Sequence, residues 1–259
     1  MSDIPPEARI EETPAPPPAP VPIGGLVLVD KPASVRIKST TVVRSVKRRL
    51  IAGGCPRSIK VGHAGTLDPL ASGLLIVLVG RGTRWCERLM AREKEYLATI
   101  DLSRSSPTDD LEVEPVPHDG PLEAPSRERL EAILAERFSG TIQQRPPTFS
   151  AIRVDGKRAY ASARAGEKPE LKPRPIIIHQ ITILEYAWPN LSLDIRCGKG
   201  TYIRSLARDI GEALTGLPGV LTALRRTAIG PYRIEHSTEL DALPVHMTTA
   251  DLVPLPEES

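Results

Sequence analysis

Aromatic side chains are scarce in this chain: Phe, Trp and Tyr make up 3 % of its 259 residues. The surroundings of each one are therefore informative. Cysteine is scarcer still. Cys55, Cys86 and Cys197 are scattered and odd in number, which excludes a disulfide framework and a Cys/His metal spacing. A reduced, cytosolic compartment fits that usage. No apolar run reaches the ~18–20 residues of a membrane span. The N-terminus is acidic and proline-rich, which does not read as a signal peptide. The five histidines, at 63, 118, 179, 236 and 246, make no close pair. Gly62-His63-Ala64-Gly65-Thr66 lacks the Gly-Lys-Ser/Thr ending of a phosphate loop, and Gly80-Arg81-Gly82 lacks the rest of a dinucleotide fingerprint. No metal site and no cofactor are expected.

What is present is charge, unevenly placed. The net charge is +2, but residues 1–22 carry −3 and residues 235–259 carry −6, leaving +11 on residues 23–234. A basic body between acidic ends fits either a polyanionic partner or a merely solvated surface. The length suits one large domain or two small ones.

Residues 1–22, mostly Pro, Ala and Glu, read as a disordered leader. Residues 26–29 read as a strand that ends at Asp30-Lys31-Pro32. Residues 41–50 read as a helix with apolar spacing at Val42, Val43, Val46 and Leu50. Its other face, Arg44, Lys47 and Arg48, is either solvated or touches phosphate. Residues 74–79 form an unbroken apolar run between Gly73 and Gly80, the pattern of a buried strand. A short helix through Met90 and a strand over 97–102 follow, then a Ser/Pro/Asp-rich loop over 103–125. Ser126 is a candidate N-cap for a helix reaching Phe138, with Gly140 ending it. Strands over 176–188 and 191–197 precede a helix with Ile203, Leu206, Ala207, Ile210 and Leu214 on one face and Gly216 as its C-cap. Leu224-Arg225-Arg226-Thr227 and Gly230-Pro231-Tyr232 close the regular part, and residues 235–259 read as a short acidic tail. Many strands are separated by irregular segments rather than set in strict βαβ alternation, which is compatible with an α+β fold.

One carboxylate stands out. Asp68 lies on a glycine-punctuated loop, and Pro69 biases it toward extended geometry. Such an aspartate is either a turn residue that accepts backbone hydrogen bonds or a functional group. As a nucleophile it must stay ionised in a dry pocket, and an arginine within reach secures that. Arg204 is the candidate, because Gly200-Thr201 places it in the first turn of a helix. Tyr96 lies beside Lys94, Tyr202 beside Lys199 and Arg204, and Tyr232 near Arg225 and Arg226. Each either stacks on a base among cations or is a half-buried core tyrosine.

The run Gly62-His63-Ala64-Gly65-Thr66-Leu67-Asp68-Pro69-Leu70-Ala71-Ser72-Gly73-Leu74-Leu75 closely resembles the catalytic motif of the TruB family of tRNA pseudouridine synthases. Lys94-Glu95-Tyr96 resembles that family's Lys-x-Tyr segment. Gln144 with Pro146-Pro147-Thr148-Phe149-Ser150-Ala151 resembles its Gln-x-Pro-Pro-x-Tyr-Ser-Ala segment. Gly156-Lys157-Arg158-Ala159-Tyr160, Lys199-Gly200-Thr201-Tyr202-Ile203-Arg204 and Leu224-Arg225-Arg226-Thr227 continue the match in order, so it covers residues 23–234.

The resemblance implies a pseudouridine synthase fold with a mixed, largely antiparallel sheet flanked by helices. It implies an isomerase that converts uridine-55 in the T loop of tRNA without a cofactor. Asp68 would be the nucleophile, His63 would act as the base is flipped out, and Tyr96 would stack on the uracil. Tyr202 and Leu224 would line the pocket, and Arg204 would pair with Asp68. Residues 146–174 would clamp RNA, with Lys157, Arg158, Arg164, Arg174 and Arg225 as contacts. The implied partner is the tRNA T-arm, with no membrane and no obligate protein partner. Two departures stand out: Lys31-Pro32-Ala33-Ser34 lacks the glycine usual after the first strand, and no full RNA-binding module follows residue 234. A competing reading is a non-catalytic RNA-binding protein or tRNA-folding chaperone that retains the pocket.

Overall fold

The computed structural model describes residues 23–33, 37–120, 122–149 and 171–256, and the backbone of residues 153–154 and 157–158. Its centre is β3 (Ser72–Gly80), in which every residue before Gly80 is buried. The apolar run is needed because both faces are covered. Leu75, Val77 and Val79 pack with Val42, Val46 and Leu50 of α1 (Ser39–Ala52). Leu74, Ile76 and Leu78, pointing the other way, pack with Trp85 and Leu89. Trp85 ends a 3-10 turn (Arg81–Trp85), and Leu89 belongs to the short α2 (Cys86–Met90) that follows it.

Antiparallel β1 (Gly24–Lys31) covers one edge of β3 along its whole length. On the other edge β2 (Val61–His63) pairs with the far part of β3, and β12 (Val220–Ile229) runs parallel to its first residues. Outward from there come β4 (Lys94–Asp101), β11 (Asn190–Cys197), β10 (Arg174–Ala187) and β7 (Gly140–Gln144), each antiparallel to its neighbour. With β14 (Thr238–Glu239) at one edge, the sheet order is β14-β1-β3-β12-β4-β11-β10-β7, with β13 (Tyr232–Arg233) on β12. Small hairpins pair β5 (Arg104–Ser105) with β6 (Val116–Pro117) and β8 (Arg153–Val154) with β9 (Lys157–Arg158). The mixed, mainly antiparallel sheet flanked by helices agrees with the α+β expectation.

α3 (Arg127–Arg137) starts at Ser126, whose hydroxyl accepts a hydrogen bond from the Arg129 amide. It ends at Phe138, not Gly140; Gly140 instead opens β7 at φ +71°. α4 (Ile203–Thr215) buries Ile203, Leu206, Ala207, Ile210 and Leu214 against β4 and β11 and stops at Gly216, whose φ is +79°.

Two segments differ from the sequence reading. Residues 224–227, read as the close of regular structure, lie inside the ten-residue strand β12 (Val220–Ile229), the sheet's link between β3 and β4. Adjacent arginines disguise it, because Arg226 is a fully buried cation. The region read as an acidic tail is a packed strap through residue 256. Leu240, Leu243 and Met247 are buried against α1, β14 (Thr238–Glu239) runs parallel to β1, and Val253 exchanges two backbone hydrogen bonds with Leu26. Its apolar residues are too widely spaced among acids to show a period. Residues 1–22, read as a leader, lie outside the described residues. Among the described residues no helix is long and apolar enough to cross a membrane.

Candidate active site

The loop over residues 64–71 leaves β2 and returns as β3, and three anchors fix it. At the α1 end, the Ser39 hydroxyl donates to the Leu67 carbonyl at 3.1 Å and accepts from the Leu67 amide at 2.9 Å. Beneath it, the fully buried Lys31 donates to the carbonyls of Ala71 at 2.5 Å and Pro69 at 2.8 Å. From β12, the fully buried Arg226 donates to Leu74 at 2.8 Å, Gly65 at 3.2 Å and Thr66 at 3.4 Å. No carboxylate pairs with Arg226 among the described residues. Gly73 is required where β3 meets β12: its φ is +101°, and a Cβ there would sit 2.3 Å from the Arg226 carbonyl oxygen.

Asp68 projects from this loop with about a third of its side chain exposed, and Arg204 meets it with two hydrogen bonds. Nε lies 2.8 Å from Oδ2 and Nη2 lies 3.3 Å from Oδ1. The partners are 136 positions apart in sequence, and the start of α4 brings them together. Gln144, at the end of β7, fixes that start by donating to the Tyr202 carbonyl at 3.0 Å and accepting from its amide at 2.9 Å. Arg204 also donates to the carbonyls of Thr108 and Phe149, both at 3.1 Å, and lies 3.6 Å from Asp110. Burial disfavours its charge, but the carboxylates of Asp68, Asp110 and Asp109 outweigh that and hold its pKa above the ordinary value. The result is a permanent cation clamped on one carboxylate at the mouth of a cleft. Leu70, Asp110, Leu221 and Leu224 line that cleft with Asp68.

A stiff loop presenting an arginine-paired carboxylate has a geometry that suits nucleophilic attack. A model of the TruB family pseudouridylate synthase N-terminal domain matches residues 49–203. The chain belongs to this family. It is 44 % identical over 221 residues to the tRNA pseudouridine synthase B of Phocaeicola vulgatus, covering 85 % of this chain and 92 % of that protein. It is 46 % identical over 223 residues to the namesake from Corynebacterium aurimucosum, covering 85 % and 71 %. The crystal structure of a Cbf5-Nop10-Gar1 complex matches with a TM-score of 0.61 at 30 % identity, over 84 % of this chain. There this chain spans about half of its counterpart, 52 %.

The remaining residues singled out from the family motifs fall into three groups. Leu224 stands in the Asp68 cleft, and Tyr202 caps α4 two residues before Arg204. Tyr96 and His63 are tied to the loop through Arg226. Burial pushes the Tyr96 phenol up, while the charge and hydrogen bond of Arg226 pull it down. Burial, with Arg226 adding to it, pushes His63 below its ordinary pKa, and its buried Nδ1 has no hydrogen-bond partner among the described residues. Of the expected RNA contacts, Arg174 and Arg225 have described side chains. Arg174 is exposed at the start of β10, and Arg225 is engaged by Asp30 at 2.6 Å. The backbone of Lys157 and Arg158 forms half of a hairpin, whereas their side chains and all of Arg164 lie outside the described residues. Among the described residues no group of three His, Cys, Asp or Glu side chains could hold a metal ion.

Sequence reasoning missed Lys31, Arg226, Asp109 and Asp110 as site residues. Burial pushes Asp109 up to about 6 against the pull of Arg208 and Arg204, and its φ is +60°. Burial lowers Lys31 to about 8, an effect partly opposed by the Asp68 charge. Between about pH 8 and 10.5 the unfolded chain therefore holds more protons at Lys31 than the folded one, so this residue makes stability rise with pH across that window. Lys31→Met removes that rise and strands the Pro69 and Ala71 carbonyls, for a loss of about 2 kcal/mol at pH 7. Urea titrations of both proteins at pH 7 and pH 10 check the sign and the size.

Proposed function

We propose that this chain is a tRNA pseudouridine synthase that isomerises uridine-55 of the T loop, with Asp68 as nucleophile. The Asp68–Arg204 pair is the observation that carries the reading. Arg204 pairs with the carboxylate and offsets the loss of its water as RNA closes over the cleft. The carboxylate enables cleavage of the bond between the ribose C1′ and uracil N1. The detached base rotates and its C5 joins C1′; a proton leaves C5 and one is gained at N1, so the reaction is an isomerisation that consumes nothing. Tyr96 stacks on the uracil near the departing proton, and His63 acts as the nucleotide is flipped out, at an unstacking cost of a few kcal/mol. The relatives named tRNA pseudouridine synthase B support tRNA as the substrate.

The test is incubation of the full chain with an unmodified tRNA transcript, followed by pseudouridine mapping. The expected product is a single pseudouridine at position 55, absent from a transcript carrying cytidine there. Product at another position would reject the site assignment. Tight binding without product would reject the enzyme reading in favour of an RNA-binding chaperone.

A further inference from the structure

One charged feature lies outside the motif segments quoted above, within the stretch that the family model matches. Arg81, Arg84, Arg88 and Arg92 are three or four residues apart on the 3-10 turn, α2 and its end, and all four are exposed. Residues at that spacing line one side of a helical segment. Among the described residues none of the four forms an ion pair. The acids that could neutralise them are largely engaged elsewhere: Glu93 meets His179 at 3.3 Å and Glu95 meets Arg233 at 2.5 Å. Glu87 alone shares the segment.

The segment is rigidly mounted. Trp85 and Leu89 are buried beneath it, and the Arg88 guanidinium lies 4.9 Å from the centre of the Trp85 ring. The Cys86 thiol reaches the His63 carbonyl at 3.5 Å, which fixes one side of the stripe to the strand that leads into the catalytic loop. At the near end, the stem of Arg92 covers Gly230 and its charge acts on the Tyr232 phenol. Tyr232, near Arg225 and Arg226 in sequence, stands beside this stripe through Arg92. At the far end Lys60, also exposed, passes under Gly80.

We propose that Arg81, Arg84, Arg88 and Arg92, with Tyr232, form a ledge that holds the phosphodiester backbone of the substrate RNA beyond the nucleotide entering the Asp68 cleft. Four unneutralised guanidiniums in a row are complementary to a line of phosphates. His63 is level with Val77 and Arg81 follows Gly80, so the stripe flanks the half of β3 farther from the catalytic loop. The ledge rests on RNA being the substrate and adds a surface that the catalytic motifs do not include.

The test measures binding of the unmodified tRNA transcript to the full chain across a salt series. It compares the wild type with R81Q/R84Q, R88Q/R92Q and the quadruple variant. Because the four side chains are exposed, each variant should melt like the wild type. Every arginine–phosphate pair removed makes the salt slope shallower by about one. The quadruple variant should have a slope shallower by about two to four and bind about 10–100-fold more weakly near 0.1 M salt. Its single-turnover rate at saturating RNA should stay within about twofold, since the ledge does not touch the reacting atoms. R44Q/R48Q, on the basic face of α1, controls for general charge. An unchanged slope in the quadruple variant, or the same loss per charge in R44Q/R48Q, overturns the ledge. Wild-type protein that binds tRNA weakly at every salt concentration and makes no product would instead remove the reading of function.

Discussion

Asp68→Asn should abolish pseudouridine formation and leave tRNA affinity within about threefold. Asparagine has nearly the shape of aspartate but supplies no negative charge and no nucleophilic oxygen. Arg204 would remain held, because the Thr108 and Phe149 carbonyls still accept from it and Asp110 still lies 3.6 Å away. The fold should therefore survive, with a loss of about 1–2 kcal/mol because the ion pair is only partly buried. Loss of a covalent nucleophile costs about 10⁴-fold or more in rate. RNA affinity comes mainly from cations that meet phosphate, none of which this substitution alters. Single-turnover assays at saturating tRNA separate the two quantities. A rate within tenfold of wild type would reject Asp68 as nucleophile. Weak binding with an intact rate would relocate Asp68 to substrate recognition.

The parts of the site that are legible in sequence are those written contiguously. The unbroken apolar run from Leu74 to Val79 specifies a strand covered on both faces, and it is one. The face formed by Ile203, Leu206, Ala207 and Ile210, closed by Gly216, specifies α4 and hence the place of Arg204. Asp68 is marked by the glycines and proline around it. What stays hidden depends on acceptors supplied from far away. Lys31 reads as the polar end of a strand, yet its partners are carbonyls 38 and 40 positions downstream. A side-chain cation bonded to backbone oxygens has no sequence signature, because every residue offers a carbonyl. The same holds for the strap over residues 238–256, whose buried leucines meet α1 from the other end of the described chain.

Arg226 is the second large expected effect. Its guanidinium holds the carbonyls of Gly65, Thr66 and Leu74 and faces the Tyr96 phenol, so one side chain sets both the Asp68 loop and the Tyr96 ring. Arg226→Met keeps an unbranched stem and removes a buried charge along with its hydrogen bonds. The desolvation cost of the cation disappears, and the cost that remains is that of three stranded carbonyls. At roughly 1 kcal/mol each, that is a net loss of about 3 kcal/mol. The larger effect falls on turnover. A loop free to move by about 1 Å misplaces the nucleophile and lowers the rate about 100-fold. Arg226→Lys keeps the charge, but a compact ammonium cannot span three divergent carbonyls. It should fold nearly as well as wild type yet recover only part of the rate. Tyr96→Phe supplies the decisive comparison. If Arg226 acts through both the loop and Tyr96, its substitution costs less in the Tyr96→Phe background than in the wild type, because part of what it supports is already gone. Fully additive rate losses would confine Arg226 to the loop. Wild-type turnover in Arg226→Met would show that the loop holds its shape on Ser39 and Lys31 alone.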